Sequence, residues 1–217
     1  KTRRQQGEGL SGRFDVSDEQ ALKSGNNNLT STLNLNYRHE GLDFFGGVTF
    51  QNDYLDGYRS LLEQNTYLKQ NTNSIVSHTQ TGYTQSDQKF SRMFFNAGVN
   101  WQFDDDNFIG VKVERGVWLK NRYWFEMEED VLRNGVKEDY LKSESDIKYK
   151  NPNTLLVNAY YNGKIGKWGI DANVDYYSQC DKNDNHVNEQ AMSGISTVES
   201  MTENKSHLFA ARLIAEH

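Results

Sequence analysis

The sequence predicts an all-β chain, an antiparallel meander of about eight long strands forming part of a transmembrane β-barrel. Two observations carry this. Between its breaks the chain alternates apolar and polar residues with a period of two, the pattern of strands with one apolar and one wet face. The breaks themselves alternate in length. Short ones fall at His39-Glu40-Gly41, at Asp104-Asp105-Asp106-Asn107 and over 163–167; long ones run roughly over 17–28, 56–87, 120–152 and 179–205. Tight turns at one end of a sheet and long loops at the other are the layout of an outer-membrane barrel. A closed eight-stranded barrel is the alternative, since eight is a permissible count.

The strands can be taken in order. Leu10, Gly12, Phe14 and Val16 alternate with Ser11, Arg13 and Asp15. Leu29, Ser31, Leu33, Leu35 and Tyr37 oppose Thr30, Thr32, Asn34, Asn36 and Arg38. After a short turn, Leu42, Phe44, Gly46, Val48 and Phe50 share one face. Met93, Phe95, Ala97, Val99, Trp101 and Phe103 follow, then Ile109, Val111, Val113 and Val117. Leu155, Val157, Ala159 and Tyr161 precede Trp168, Ile170, Ala172, Val174 and Tyr176, and Phe209, Ala211, Leu213 and Ala215 make the last strand. Strands of roughly ten residues suffice to cross a bilayer at a tilt. Aromatic residues near strand ends, such as Tyr37, Tyr54, Trp101, Trp168 and Tyr176, suit the two membrane interfaces. Arg115 breaks the pattern on an apolar face; near a strand end its long side chain can snorkel outward. Alternation persists within Tyr123-Trp124-Phe125-Glu126-Met127, so some strands are expected to protrude as ribbons beyond the membrane.

Composition agrees with a single β segment over residues 1–217. Hydrophobic residues make up 35% of the chain and mean hydropathy is −0.86, low for a two-sided core. One proline leaves the strands almost uninterrupted. Net charge is −6 and no basic stripe stands out along the sequence, so no nucleic-acid partner is expected. Cys180 is the only cysteine, which excludes an internal disulfide or cysteine-based metal site. No apolar run is long enough for a membrane helix. The chain opens Lys1-Thr2-Arg3-Arg4 without a signal region and closes inside a strand-like run, so it is expected to be a piece of a longer protein.

No residue pattern calls for catalysis, and neither a metal nor a cofactor is expected. His39, His78, His186, His207 and His217 lack a common ligand spacing. Glu126, Glu128, Glu129 and Asp130 lie in a charge-rich stretch and read as a solvated loop rather than a hydrolytic pair. Asp181, Asn183 and Asp184 lack the glycine and closing glutamate of a calcium loop. Asp104 to Asn107 reads first as a hairpin turn. The sequons at Asn28 and Asn204 are read as coincidental. The better candidates for ligand contact are loop aromatics, which combine apolar area with a polar handle: Tyr58, Tyr67, Tyr83, Tyr123, Trp124 and Tyr140. Packing of the loops on one another is the competing reading.

Leu33-Asn34-Leu35-Asn36-Tyr37-Arg38, a short turn and Leu42-Asp43-Phe44-Phe45-Gly46-Gly47 resemble the early barrel hairpin of TonB-dependent outer-membrane receptors. Gly7 to Gly12 and the hairpin built on Asn96-Ala97-Gly98-Val99-Asn100-Trp101 and Asn107-Phe108-Ile109-Gly110 resemble that family too. The resemblance implies a larger barrel in the outer membrane of a Gram-negative bacterium, of which this chain is the N-terminal third or so. It implies outer-membrane lipid, a plug domain, an energy-coupling protein and an unknown nutrient ligand as partners. It places the short turns in the periplasm and the long loops outside. A complete small barrel with adhesive or structural loops, and a soluble secreted β-sandwich binding carbohydrate, are the alternatives.

Overall fold

The structure, a computed structural model, describes residues 7–22, 26–71 and 74–217. They form one antiparallel sheet of nine strands: β1 (Gly9–Gln20), β2 (Asn27–His39), β3 (Leu42–Asn71), β4 (Ser74–Gln102), β5 (Phe108–Arg133), β6 (Val136–Tyr149), β7 (Asn153–Ile165), β8 (Trp168–Ala191) and β9 (Gly194–Glu216). Each strand pairs with its neighbour in sequence, with one exception. β6 pairs with the upper half of β5, and β7 with its lower half. Both also pair with β8. Thus β6 and β7 are two parts of one strand position, interrupted at Lys150–Pro152. Asn151 has a φ of 49° there and Pro152 has no N–H to give the ladder. The break is stitched by Trp118 N–H to Pro152 C=O at 3.1 Å and Lys150 N–H to Lys182 C=O at 2.6 Å. Nine segments therefore occupy eight positions.

The long intervals are not open loops. β3 and β4 continue through almost all of 56–87, reaching 30 and 29 residues. β5 and β6 fill most of 120–152, and β8 and β9 most of 179–205. Within 17–28, β1 reaches Gln20, β2 begins at Asn27, and Ala21 N–H donates to Asn26 C=O at 2.8 Å. The reason is that ladder bonds belong to the backbone, so Thr-, Tyr- and Gln-rich segments pair as well as apolar ones when a tight turn sets them in register. Glu40–Gly41 and Asn134–Gly135 supply such turns, each with positive φ at both positions.

Register brings the apolar faces together. Leu10, Tyr37, Phe44, Val99, Val111, Ala159, Val174 and Ala211 stand side by side across the sheet. The row four residues higher runs Phe14, Leu33, Val48, Phe95, Arg115, Leu155, Ser178 and His207. Below the first row, the chain continues two residues to His39, three to Gln102 and six to Ile165. This progressive slip is strand tilt.

Among the described residues four register shifts interrupt the ladders higher up, and the two nearer the apolar surface reset its alternation. Between Ser91 and Arg92 the β5 partner jumps from Lys120 to Trp118, leaving Leu119 as the extra residue. Between Leu55 and Tyr58 β3 carries one residue more than β4. Beyond each bulge the bulged strand exchanges the faces of its odd and even positions. Among the described residues, β1 and β9 do not pair with each other, and each is bonded on one side only. The sheet is open, in one layer. Among the described residues no large side chain is fully buried, and the chain exposes 15286 Å². A compact monomer of 25.1 kDa would expose about 10,000 Å².

Candidate functional site

The feature that the fold builds most completely is a face. The aligned rows make a continuous apolar surface nine residues tall in β4 (Met93–Trp101), β5 (Ile109–Val117) and β8 (Trp168–Tyr176). Its residues face open space: Val113 is 38% exposed, Trp101 47% and Leu213 71%. Aromatic rings mark its lower edge. Trp101 lies 5.3 Å from Phe103 and Trp168 4.8 Å from His217, centre to centre. At the upper end of the apolar stretch of β8, Tyr176 stacks on His207 and meets its Nδ1 at 3.0 Å. Arg115 stands in the second-highest row of this surface, one row below Val117.

The opposite face is polar and bonded across strands. Asn158 donates to Asn173 (2.9 Å) and Asp175 (2.6 Å), and Asn173 donates to Asp175 (2.6 Å). Arg92 donates to Gln51 (2.6 Å), Arg212 to Asp171 (2.9 Å), and Tyr160 to Asn100. Rings on this face lie over glycines of adjacent strands: Phe45 over Gly98, Tyr160 over Gly110 and Phe94 beside Gly116, where a Cβ would meet each ring. Aromatic cover of sheet glycines supports a curved strand without leaving a gap. Gly46 and Gly47 meet asparagine and backbone atoms instead.

At the lower end, Asp104 accepts from the backbone N–H of Asp106 (2.8 Å) and the side chain of Asn107 (2.7 Å). These bonds hold its carboxyl below the usual range. Asn107 in turn accepts from Tyr161 (2.6 Å) and the Lys164 N–H (2.9 Å), so this turn is tied to the β7–β8 turn. A cleft of about 670 Å³ opens beside it, lined by Asp106, Asn162, Asp171 and Glu216.

Above the apolar surface the same face becomes charged. Arg122 donates to Asp146 at 2.7 and 3.0 Å, and Lys148 approaches the same carboxylate at 3.3 Å. Asp146 is held below the usual carboxylate range, chiefly by the Arg122 hydrogen bonds. Lys142 reaches Glu128 (2.6 Å) and Glu126 (3.4 Å), and the Glu128 bond raises its pKa. Glu129, on the other face, is 5% exposed, and burial pushes its carboxyl up.

The six aromatic candidates do not form one site. Register places Tyr67, Tyr83, Trp124 and Tyr140 on the side continuous with the apolar surface, and Tyr123 on the polar side. The backbone of Tyr58 pairs with Ser86; its side chain lies outside the described residues. Tyr83 and Tyr140 share a cleft of about 450 Å³ with Lys137 and Lys142. Trp124 donates to Glu144 at 2.8 Å and lines a cleft of about 230 Å³ with Tyr54, Lys89 and Arg122. Lys89 and Arg122 carry no sequence signal of a binding role, whereas Tyr54 flanks the same long interval as Tyr58, Tyr67 and Tyr83. The spacing of Tyr54, Lys89 and Arg122 across three strands becomes visible only in register.

Among the described residues no three His, Cys, Asp or Glu side chains gather as metal ligands. Asn121 and Asp181 each leave a buried oxygen without a partner beside the β6–β7 break, in a cleft of about 160 Å³. No protein-family model matches the chain, and no curated protein matches it.

Proposed function

We propose that this sheet is a section of the wall of a transmembrane β-barrel in the outer membrane of a Gram-negative bacterium. The barrel is read as a TonB-dependent receptor for nutrient uptake, with no covalent chemistry of its own in this section. The carrying observation is the exposed apolar surface. Nine residues at about 3.3 Å each give roughly 30 Å of contour, enough for a tilted strand to cross an apolar band of about 25 Å. Aromatic edges and a bonded polar reverse face fit a lipid side and a wet lumen. The hairpins that run far past the surface on one end fit the ribbons of an outer-membrane receptor.

The sandwich reading lacks support because its apolar faces would have to pack on each other in two layers, whereas the chain makes one layer. The complete eight-stranded barrel needs β1 beside β9, and they are not paired. The receptor class, with its plug, coupling protein and nutrient, rests on the sequence resemblance together with this surface.

The test is labelling of single cysteines with a membrane-impermeant maleimide, in a Cys180→Ser background. Ser193→Cys, at the β8–β9 tip, is expected to react in intact cells. Asp105→Cys, at a short turn, is expected to react only after the envelope is opened. Equal labelling of both in intact cells would sink the proposal.

A further inference from the structure

The boundary above the apolar surface carries an unusual charge distribution for an acidic chain. Two successive rows on the lipid-side face are rich in cations, above an apolar row that ends in one. The highest apolar row passes Phe50, Met93, Val117, Asn153 and Cys180 and ends at Lys205. Directly above stand Asn52, Ser91 and Lys120, then Lys150 in the strand break, and Lys182 opposite Glu203. The next row runs Tyr54, Lys89, Arg122, Lys148 and Asp184. Acids predominate only in the row after that, with Asp87, Asp146 and Glu199. The sequence hid this grouping, because its members come from five strands and a connector.

Contacts agree with a shared face. Lys89 lies 4.3 Å from the centre of the Tyr54 ring, and Ser91 donates to Asn52 at 2.6 Å. Lys150 is paired with Asp184, and Lys205 with Glu203 at 2.8 Å. Arg122 and Lys148 share one carboxylate. Cations thus outnumber the acids nearest the apolar edge, and most of their side chains stay more than half exposed. At the lower edge the described lipid-side residues include Glu8, His39 and Phe103, with Glu8 3.7 Å from His39.

We infer that this basic belt binds the phosphate-bearing headgroups of the lipid leaflet lying against the upper edge of the apolar surface. The inference rests on the membrane reading above and adds the headgroup chemistry to it. The belt spans β4 to β9, five strand positions at about 4.8 Å spacing, a width of roughly 20 Å that can engage more than one phosphate. Basic residues beside a membrane surface are attracted to anionic headgroups, and salt weakens that attraction. The acidic row sits about 7 Å farther from the apolar edge, so the phosphates meet cations first.

The test refolds the full chain with vesicles of phosphatidylcholine alone, or containing one-fifth lipid A, and measures partition by flotation. Strand content is followed by circular dichroism. Lipid A is expected to strengthen partition at least about tenfold at low salt, and 0.5 M salt should remove most of the gain. The combined variant Lys89→Gln, Lys120→Gln, Lys148→Gln, Lys150→Gln should enter phosphatidylcholine as the parent does yet lose the lipid A gain. Lys112→Gln with Lys164→Gln, away from the belt, should keep it. Equal partition of the parent into both vesicle types overturns the headgroup inference and leaves the membrane reading standing. No entry into either vesicle overturns both. A gain equally lost in the Lys112 and Lys164 variant overturns the assignment to the belt.

Discussion

Asp146 accepts two hydrogen bonds from one guanidinium, that of Arg122, across the β5–β6 ribbon. Its folded pKa is depressed, so the associated stability is present above the ordinary Asp value of about 3.9 and is lost as pH falls through the folded value. Arg122 is more than half exposed, which limits the contribution to about 0.5 kcal/mol. Amide protection factors in β6, taken relative to the intrinsic exchange rate at each pH, should fall on acidification below about pH 4. Asp146→Asn should flatten that acid limb.

Glu129 has the opposite sign. Its folded pKa is raised by burial, so protonation favours the folded ribbon and stability falls as pH rises from about 4.3 through the raised value. Glu129→Gln is expected to stabilise the ribbon at pH 7 by about 1 kcal/mol. Denaturant midpoints of the two proteins at pH 4 and pH 7 check this: the gain should shrink at the lower pH.

Gly82 lets β4 approach β5 closely, since a Cβ there would overlap the carbonyl of Glu128. Gly82→Ala should force the strands apart and cost on the order of 2 kcal/mol, seen as lost exchange protection around Tyr83 and Glu128. Protection at Val99 and Val111, far below, should hold.

Val113 lies between Ala97 and Val157 in the middle of the apolar surface. Val113→Arg should weaken refolding into phosphatidylcholine vesicles by roughly 2–4 kcal/mol. Its neighbour Lys112 faces the other way, and Lys112→Arg should leave insertion unchanged. Equal effects at the two positions would contradict a one-sided lipid surface.

Much of the lower sheet was legible because nearly every residue between two tight turns keeps strict alternation, from Leu33 through Val48 to Val111. The upper sheet was less so. Polar strands such as Thr79–Gln85 lack an apolar face, whereas alternation over Tyr123–Met127 and the Asn134–Gly135 turn signal the β5–β6 hairpin inside its supposed loop. Faces above the bulges were not legible at all. Counting by twos from Val117 puts Tyr123 on the apolar side and Trp124 opposite; the extra residue Leu119 reverses both. Beyond the β3 bulge the same exchange places Tyr67 on the apolar side. A bulge is fixed by pairing with the neighbouring strand, which alternation within one strand does not record.

The stepwise connectivity of the sheet also prescribes how it can form. Because strand positions follow one another in sequence, each hairpin can dock on the edge left by the one before, with short chain closures at every step. The outward edge of β9 then presents unpaired N–H and C=O groups as a template for another strand. Growth by successive addition would then follow the chain from β1 to β9, each strand docking on the edge before it.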